Sequence, residues 1–431
     1  MRTMKDSGIE WIGQIPENWS SIKIKYTSWL KGRIGWDGLK STEYTETGAY
    51  LITGVNFKNG FIDWDSCVHI TEERFMEDSD IHIQEDDLLI TKDGTIGKVA
   101  IAKNCPDMVS LNSGVLLIRN IYDFKYHDKY LYYVLLSDVF WRWYTLSQTG
   151  QSTIKHLYQE QFYNFEFPFP SIFEQKEIAE HLDRQCAHID NIIEKTKASI
   201  EEYKKLRQAV ITHATTKGVR SGRMMKDSGI DWIGEIPEDW KVLKTIYLFK
   251  ENVRKPDEDA IPLSLSQTDG LIPTDEMKES SLKTSTYDGW KQVRLGDLVL
   301  NRFKGHLGVL YSAWIEGMVS FHYGVYEPQI DLSTKYYEYL YHSDCYRAIL
   351  GLKSNGMTVG LQNLSNQNFY SVMSLYPPLE EQKEIVDYID AKIAEINTLI
   401  AKKEQFLTEL DTYKKSLIYE YVTGKKEVPQ S

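Results

Sequence analysis

MKDSGIEWIGQIPENW at Met4–Trp19 and MKDSGIDWIGEIPEDW at Met225–Trp240 are one sixteen-residue phrase written twice, 225 − 4 = 221 positions apart. The changes between the copies, Glu10 to Asp231, Gln14 to Glu235 and Asn18 to Asp239, keep each position polar. Chance does not repeat a phrase of that length, so mutual contact or a shared partner keeps the copies alike. A second phrase recurs too. Glu174-Gln175-Lys176-Glu177-Ile178 returns as Glu381-Gln382-Lys383-Glu384-Ile385, each after a proline-containing approach, FPFPSIFEQKEI and YPPLEEQKEI. Between these markers Gly94-x-x-Gly97 answers Gly305-x-x-Gly308, and Val109-Ser110 with Gly114-Val115 answers Val319-Ser320 with Gly324-Val325. A period near 210 residues is a domain duplication, not a solenoid of short repeats.

The stretch after each EQKEI has helical periodicity. Positions 389, 393, 396, 400, 407, 410, 417 and 421 hold Ile, Ile, Ile, Ile, Leu, Leu, Leu and Tyr. Leu182, Cys186, Ile189, Ile193, Ile200, Tyr203 and Val210 keep the same rhythm in the first half. Spacings of three and four put these residues on one stripe of a helix. Each helix is predicted to run roughly 40 residues, hence roughly 60 Å. Pro170 and Pro378 mark the starts, Gly218 and Gly424 the stops. An apolar stripe that long needs a cover, and the economical one is the other helix.

The regions between are predicted as mixed α/β. Asn59-Gly60 is a hairpin signal. Leu88–Thr91, Val99–Ala102 and Gly114–Arg119 are predicted as strands, and His127–Leu146 as an aromatic-rich helix. In the second half, strands are predicted near Asp297–Arg302 and Met318–Tyr326, and a helix over Lys335–Leu352. The expected fold class is α+β: two similar mixed α/β domains separated by two long antiparallel helices forming a coiled-coil spacer, with a pseudo-two-fold internal repeat. The predicted boundaries are 1–170 for the first domain (repeat segment 4–19), 171–217 for the first long helix, 218–377 for the second domain (repeat segment 225–240), 378–424 for the second helix, and 425–431 for a tail.

Bulk composition agrees with a folded protein of two or more domains: 431 residues, 42% hydrophobic, 26% charged, 13% aromatic. No apolar run approaches the roughly 20 residues of a membrane span, and MRTMKDSGIEW has no apolar signal-peptide core. Cys67, Cys105, Cys186 and Cys345 are scattered, so reduced thiols, no zinc site and a cytoplasmic location are expected. The net charge of −12 excludes a uniformly basic DNA-coating protein, whereas 50 Lys and Arg exclude a DNA mimic. Any contact with nucleic acid has to be local.

Catalytic signatures are missing. Gly94-Thr95-Ile96-Gly97-Lys98 is too short for a phosphate loop and lacks Ser or Thr after the Lys. Glu174-x-Lys176 and Glu381-x-Lys383 have nuclease-like spacing, but both open long helices, where acids suit the N-terminal dipole. A nuclease would need a further carboxylate beside them for its metal. The sequence has no methyltransferase Asp/Asn-Pro-Pro-Tyr/Phe, glycine-rich cofactor loop or Gly-x-Ser-x-Gly motif, and no His ligand pattern. No catalytic residue, metal site or cofactor is expected on this chain.

The repeated KDSGIEWIGQIPENW and KDSGIDWIGEIPEDW, the Pro-then-EQKEI helix openings and the Gly-x-x-Gly turns together give a chain that resembles the specificity subunit of type I restriction–modification enzymes. The resemblance spans both halves. It implies two target recognition domains, each reading one half of a bipartite, asymmetric site in double-stranded DNA. It implies two modification subunits that bind S-adenosylmethionine and methylate adenine N6, and restriction subunits that use ATP and Mg2+ to translocate and cut. This chain would be their non-catalytic, DNA-recognising partner. A coiled-coil scaffold presenting two protein-binding domains is the alternative.

Within that reading, residues suited to bases and phosphates on matching loops are the candidate DNA contacts. They are Lys92, Thr95, Lys98, Gln148, Gln151, Ser152 and Lys155 in the first domain. In the second they are Arg302, Lys304, His306, Lys353, Asn355 and Thr358. Trp11, Pro16, Trp19, Trp232, Pro237 and Trp240 are the candidate partner-binding anchors, docking against the helices or a modification subunit.

Overall fold

Each copy of the opening phrase folds as a small antiparallel ribbon. Met4–Asp6 pairs with Gln14–Pro16, and Met225–Asp227 with Glu235–Pro237. The computed structural model describes residues 2–33, 39–120, 126–148, 155–267, 269–277, 287–354 and 363–429, without the side chain of His306. Gln151, Ser152, Asn355 and Thr358 lie outside the described residues. The chain divides into two units, Met1–Thr196 with Gln405–Ser431, and Lys197–Glu404. The division cuts through the predicted helices rather than at their ends.

In the first unit a six-stranded sheet runs in the order Ser28–Gly32, Val115–Asn120, Leu88–Thr91, Val99–Ile101, Phe61–Ile62, Phe57–Lys58. Its last two strands form the hairpin expected from Asn59-Gly60, both of which have positive φ. A three-stranded sheet, Val109–Leu111, Ala49–Ile52 and Val68–Ile70, belongs to the same unit. In the second unit Phe249–Glu251, Tyr323–Pro328, Leu298–Asn301 and Leu310–Ser312 repeat the order of the first four strands.

Helices of nine or more residues are numbered here as α1 (Asp128–Leu136), α2 (Asp138–Ser147), α3 (Ile172–Lys217), α4 (Thr334–His342), α5 (Asp344–Lys353) and α6 (Leu379–Val422). The single helices predicted over 127–146 and 335–352 are therefore each two. The break falls on a serine that is buried in both domains, Ser137 and Ser343. Each donates its hydroxyl to the carbonyl three residues back, Val134 at 2.7 Å and Leu340 at 2.6 Å. Ser137 also accepts from the Val139 amide as N-cap of α2. The strand predicted over 318–326 is likewise two, Gly317–Val319 and Tyr323–Pro328.

The long helices α3 and α6 have 46 and 44 residues. In the first unit the start of α3 lies along the end of α6. The His181 ring meets Tyr421 at 4.5 Å, and Lys414 Nζ reaches Asp190 at 2.6 Å. As one number rises the other falls, so the segments are antiparallel. The second unit repeats the relation with the other ends: Lys403 lies over the Tyr203 ring, and Arg207 donates to Asn397 at 3.1 Å. The stripe residues Leu182, Cys186 and Ile189 join Leu410, Leu417 and Tyr421 in one core, and Ile385 and Ile389 join Ile211 and Ala214 in the other. Burial pushes the thiols of Cys67, Cys105 and Cys186 up to about 12, 11 and 11, so they stay protonated at neutral pH.

Candidate nucleic-acid interface

The two duplicated phrases meet each other in space. Trp19 Nε1 donates to Glu174 Oε2 at 3.1 Å, and Trp240 Nε1 donates to Glu381 Oε2 at 3.0 Å. These are the second tryptophan of the opening phrase and the first residue of EQKEI in each half. Arg2 and Arg223 complete the joints, each over its tryptophan ring at 5.8 Å and each ion-paired with the same glutamate. They too are 223 − 2 = 221 positions apart, so the repeat begins before Met4, a signal the motif reading did not use.

The opposite helix ends at the same joint. Gly424, after α6, has φ +67, and a Cβ there would lie 2.4 Å from Pro16 Cγ and 2.9 Å from Trp19. Gly218, after α3, has φ +77, and its Cβ would meet Glu381 at 2.8 Å and Trp240 at 3.3 Å. Helix-terminal carbonyls are taken by domain tyrosines: Tyr130 donates to Val422 O at 3.1 Å and Tyr336 to Thr215 O at 2.9 Å. Gln175 and Gln382 accept from the backbone amides of His127 and Ser333, 2.9 and 2.8 Å away, at the starts of α1 and α4.

Of the two placements expected for the anchors, Trp19 and Trp240 take the one on the helices. Trp19 and Trp240 are 1% and 0% exposed, and Pro16 and Pro237 are buried. They offer no face to another subunit and instead dock each domain on its helix ends. Trp11 is half-buried, with Nε1 donating to Glu166 O at 2.8 Å, and Trp232 stands edge-on to Tyr346 at 4.8 Å.

Within each unit the glycine turn is bonded to the described flank of the second predicted loop. In the first, the Leu157 amide donates to Lys92 O at 3.0 Å, and His156 pairs with Asp93. Gln148 Nε2 stands 3.5 Å from His156 O. In the second, the Leu364 amide donates to Arg302 O at 2.9 Å, the same bond 207 residues on from Leu157. The glycine turns also match: Gly97 leaves room for the Trp141 ring and Gly308 for the Arg347 side chain, residues 206 apart on α2 and α5.

The individual side chains divide into two kinds. Thr95, Lys98, Lys155 and Lys304 are exposed and available to a polyanion. Lys353 is half-buried, with Nζ on Ser371 Oγ at 2.8 Å. Two others are corrected by the structure. Lys92 is 9% exposed and turns its ammonium to Arg33 O at 3.3 Å. Burial pushes its pKa down, against the pull of Asp93. Arg302 is held inside its domain by Glu251 and by Asn366 Oδ1 at 2.8 Å. Among the described residues, no group of three or more His, Cys, Asp and Glu is placed to hold a metal ion, and no helix is long and apolar enough to cross a membrane.

The family model described as type I restriction modification DNA specificity domain matches residues 36–202 and 308–409. A type I restriction enzyme specificity subunit, MjaVIII, of Methanocaldococcus jannaschii is 30% identical over 247 residues, covering 54% of this chain and 49% of the relative. The chain spans about half the length of the curated relatives it matches. Among solved structures, a chain from a study of complex assembly and conformational transition of the type I R-M system aligns over 96% of this chain and 99% of its own, with TM-score 0.69 and 13% identity. The HsdS subunit from Thermoanaerobacter tengcongensis aligns over 96% and 98%, with TM-score 0.53 and 15% identity. Those two likenesses extend the fold to nearly the whole chain, and the family match covers both of its halves. The protein therefore belongs to the type I restriction–modification DNA specificity family.

Proposed function

We propose that this chain is the DNA-recognition subunit of a type I restriction–modification assembly, reading an asymmetric split site with one domain per half-site. The observation that carries the reading is a repeated frame with unlike loops. Strand order, glycine turn and loop-closing bond recur in both domains, while the side chains on the turns differ. Two related but unlike surfaces suit two unlike half-sites. The paired helices α3 and α6 would set the gap between the half-sites at about one turn of the duplex.

The chain's own contribution is binding and positioning. Exposed Lys98, Lys155 and Lys304 would meet phosphates, with Thr95 beside them. In the cytoplasm, two modification subunits would bring S-adenosylmethionine for transfer to adenine N6, and restriction subunits would bring ATP and Mg2+ for translocation and cleavage. Mapping methylated adenines in host DNA with and without this chain tests the proposal. A split motif with a fixed gap, lost with the chain, is expected. Unchanged methylation contradicts it and favours a scaffold presenting two protein-binding domains.

A further inference from the structure

One half-buried carboxylate ties together the Arg302 turn and the Asn366 helix of the second domain. Glu251 ends the edge strand Phe249–Glu251 and is 17% exposed at its side chain. It accepts from Lys291 Nζ at 2.8 Å, from Arg302 and from Asn366 Nδ2. Arg302 opens the glycine turn that carries Lys304, and Asn366 opens the short helix Asn366–Tyr370 that follows the second loop. Arg302 also donates to Asn366 Oδ1 at 2.8 Å, as does Tyr326 at 2.7 Å. The strand is fixed in turn, because the Glu251 amide donates to the Tyr370 hydroxyl at 2.7 Å. Desolvation pushes the carboxyl up. The bonds and charges of Lys291, Arg302 and Asn366 outweigh it and hold the group below its ordinary value, so Glu251 is an anion at neutral pH.

The first domain has no such carboxylate at this place. Glu251 faces Tyr326, which faces Leu298; the same register in the first sheet runs Leu30, Ile118, Leu88. Leu30 therefore stands where Glu251 does. There Gln159 Nε2 donates to the Leu30 carbonyl at 3.0 Å and Lys92 Nζ to the Arg33 carbonyl, and the side-chain pair between the turn and the second loop's flank, Asp93 with His156, lies away from the Leu30 position.

We infer that Glu251 is a positioning residue for recognition by the second domain alone: it fixes the Arg302 turn and the Asn366 helix as one rigid surface, through Arg302 Nη2 and the Asn366 amide. Arg302 acts here as a strut and not as a reader of bases. A single guanidinium nitrogen, Nη2, reaches both the carboxylate and the Asn366 amide oxygen, and a lysine, whose stem is one bond shorter and whose ammonium is not held in a plane, reaches them less well. The inference rests on the DNA-recognition reading.

The test is methylated-adenine mapping and competition binding with the chain assembled with its modification subunits, as wild type, Glu251→Gln and Arg302→Lys. For Glu251→Gln, discrimination against single-base changes in one half-site should fall by roughly tenfold, within what one mismatched pair carries. Discrimination at the other half-site should stay as in wild type. Arg302→Lys should relax the same half-site by a smaller factor, and it decides the matter if Glu251→Gln does not fold. Unaltered discrimination in a folded variant overturns the inference. So does an equal loss at both half-sites with a lowered melting temperature, the mark of a purely structural residue. A wild-type assembly without a split motif instead overturns the DNA-recognition reading itself.

Discussion

The joints and the loop closures of the two domains make opposite use of the same duplication. At the joints the halves agree residue for residue: Arg2, Trp19 and Glu174 against Arg223, Trp240 and Glu381, with Gly424 and Gly218 pressed on them. At the loop closures only the frame agrees. One domain closes on backbone carbonyls and the Asp93–His156 pair, the other on an ion-paired network around Glu251. Identical surroundings hold the joints alike, because each receives the start of one long helix and the end of the other. On the glycine turns and loop flanks Thr95, Lys98, Lys155 and Lys304 are exposed, and among the described residues nothing packed on them holds the two halves alike. Duplication thus kept the mechanical parts and let the chemical parts drift.

Breaking the joints should give the largest effects. Trp19→Ala and Trp240→Ala each remove a buried indole, at a cost of roughly 3–5 kcal/mol. Denaturant unfolding should show two losses of similar size. A loss confined to one variant would mean that the joints are not equivalent.

The glycines sharpen the same comparison. Gly424→Ala and Gly218→Ala both force a side chain into left-handed backbone, but the new Cβ of the first meets the rigid Pro16 ring and that of the second the movable ends of Glu381 and Arg223. Overpacking of this kind costs roughly 1–3 kcal/mol, and Gly424→Ala should sit at the upper end. The reverse order, read by unfolding, would contradict the packing described.

Acid should push the two units in opposite directions at two named residues. Burial pushes His342 down to about 4, with Lys335 and Arg347 adding to it and the backbone at Leu310 and Gly308 opposing. Its folded value lies below the unfolded one, so its contribution is present above about pH 6.5 and lost as pH falls towards 4, about 2 kcal/mol by pH 5. Burial, then Asp86, raises Asp128 to about 6. Its folded value lies above the unfolded one, so the first unit gains about 1 kcal/mol between pH 7 and 5. Glu338, raised by burial, partly offsets His342, and His127 and His181, lowered by burial, partly offset Asp128. Hydrogen exchange, corrected for intrinsic rate, should therefore show each trend weakened in its own unit by His342→Gln or Asp128→Asn. Trends that survive both substitutions would assign them to other groups.

The smallest effects concern single surface cations. Lys98→Ala and Lys304→Ala should each weaken DNA binding about equally for all sequences and reduce the salt slope by roughly one. Lys92→Met should leave the slope alone, because its ammonium already faces Arg33 O. A slope change for Lys92→Met would show that the side chain swings out to the duplex.

Much of this was legible before any coordinates. The repeated phrases announced the duplication, and spacings of three and four announced α3 and α6. The breaks at Ser137 and Ser343 were not legible, because serine suits both a helix interior and a cap, and the aromatic pattern continues across it. Trp19 and Trp240 stand out in the sequence, but it leaves open whether they dock on the helices or on a modification subunit, since large aromatics serve cores and interfaces alike. Lys92 was misplaced because a strand-end lysine can run its chain inward as easily as out. Glu251 left no trace at all: its partners lie 51 and 115 positions away, at Arg302 and Asn366, and no local pattern links them.

The most direct test of one domain per half-site is an exchange. Residues 245–372 are replaced by those of a relative, and methylated adenines are mapped in cells carrying the modification subunits. The account predicts a motif in which one half changes while the other half and the gap persist. Change in both halves, or in neither, would contradict it.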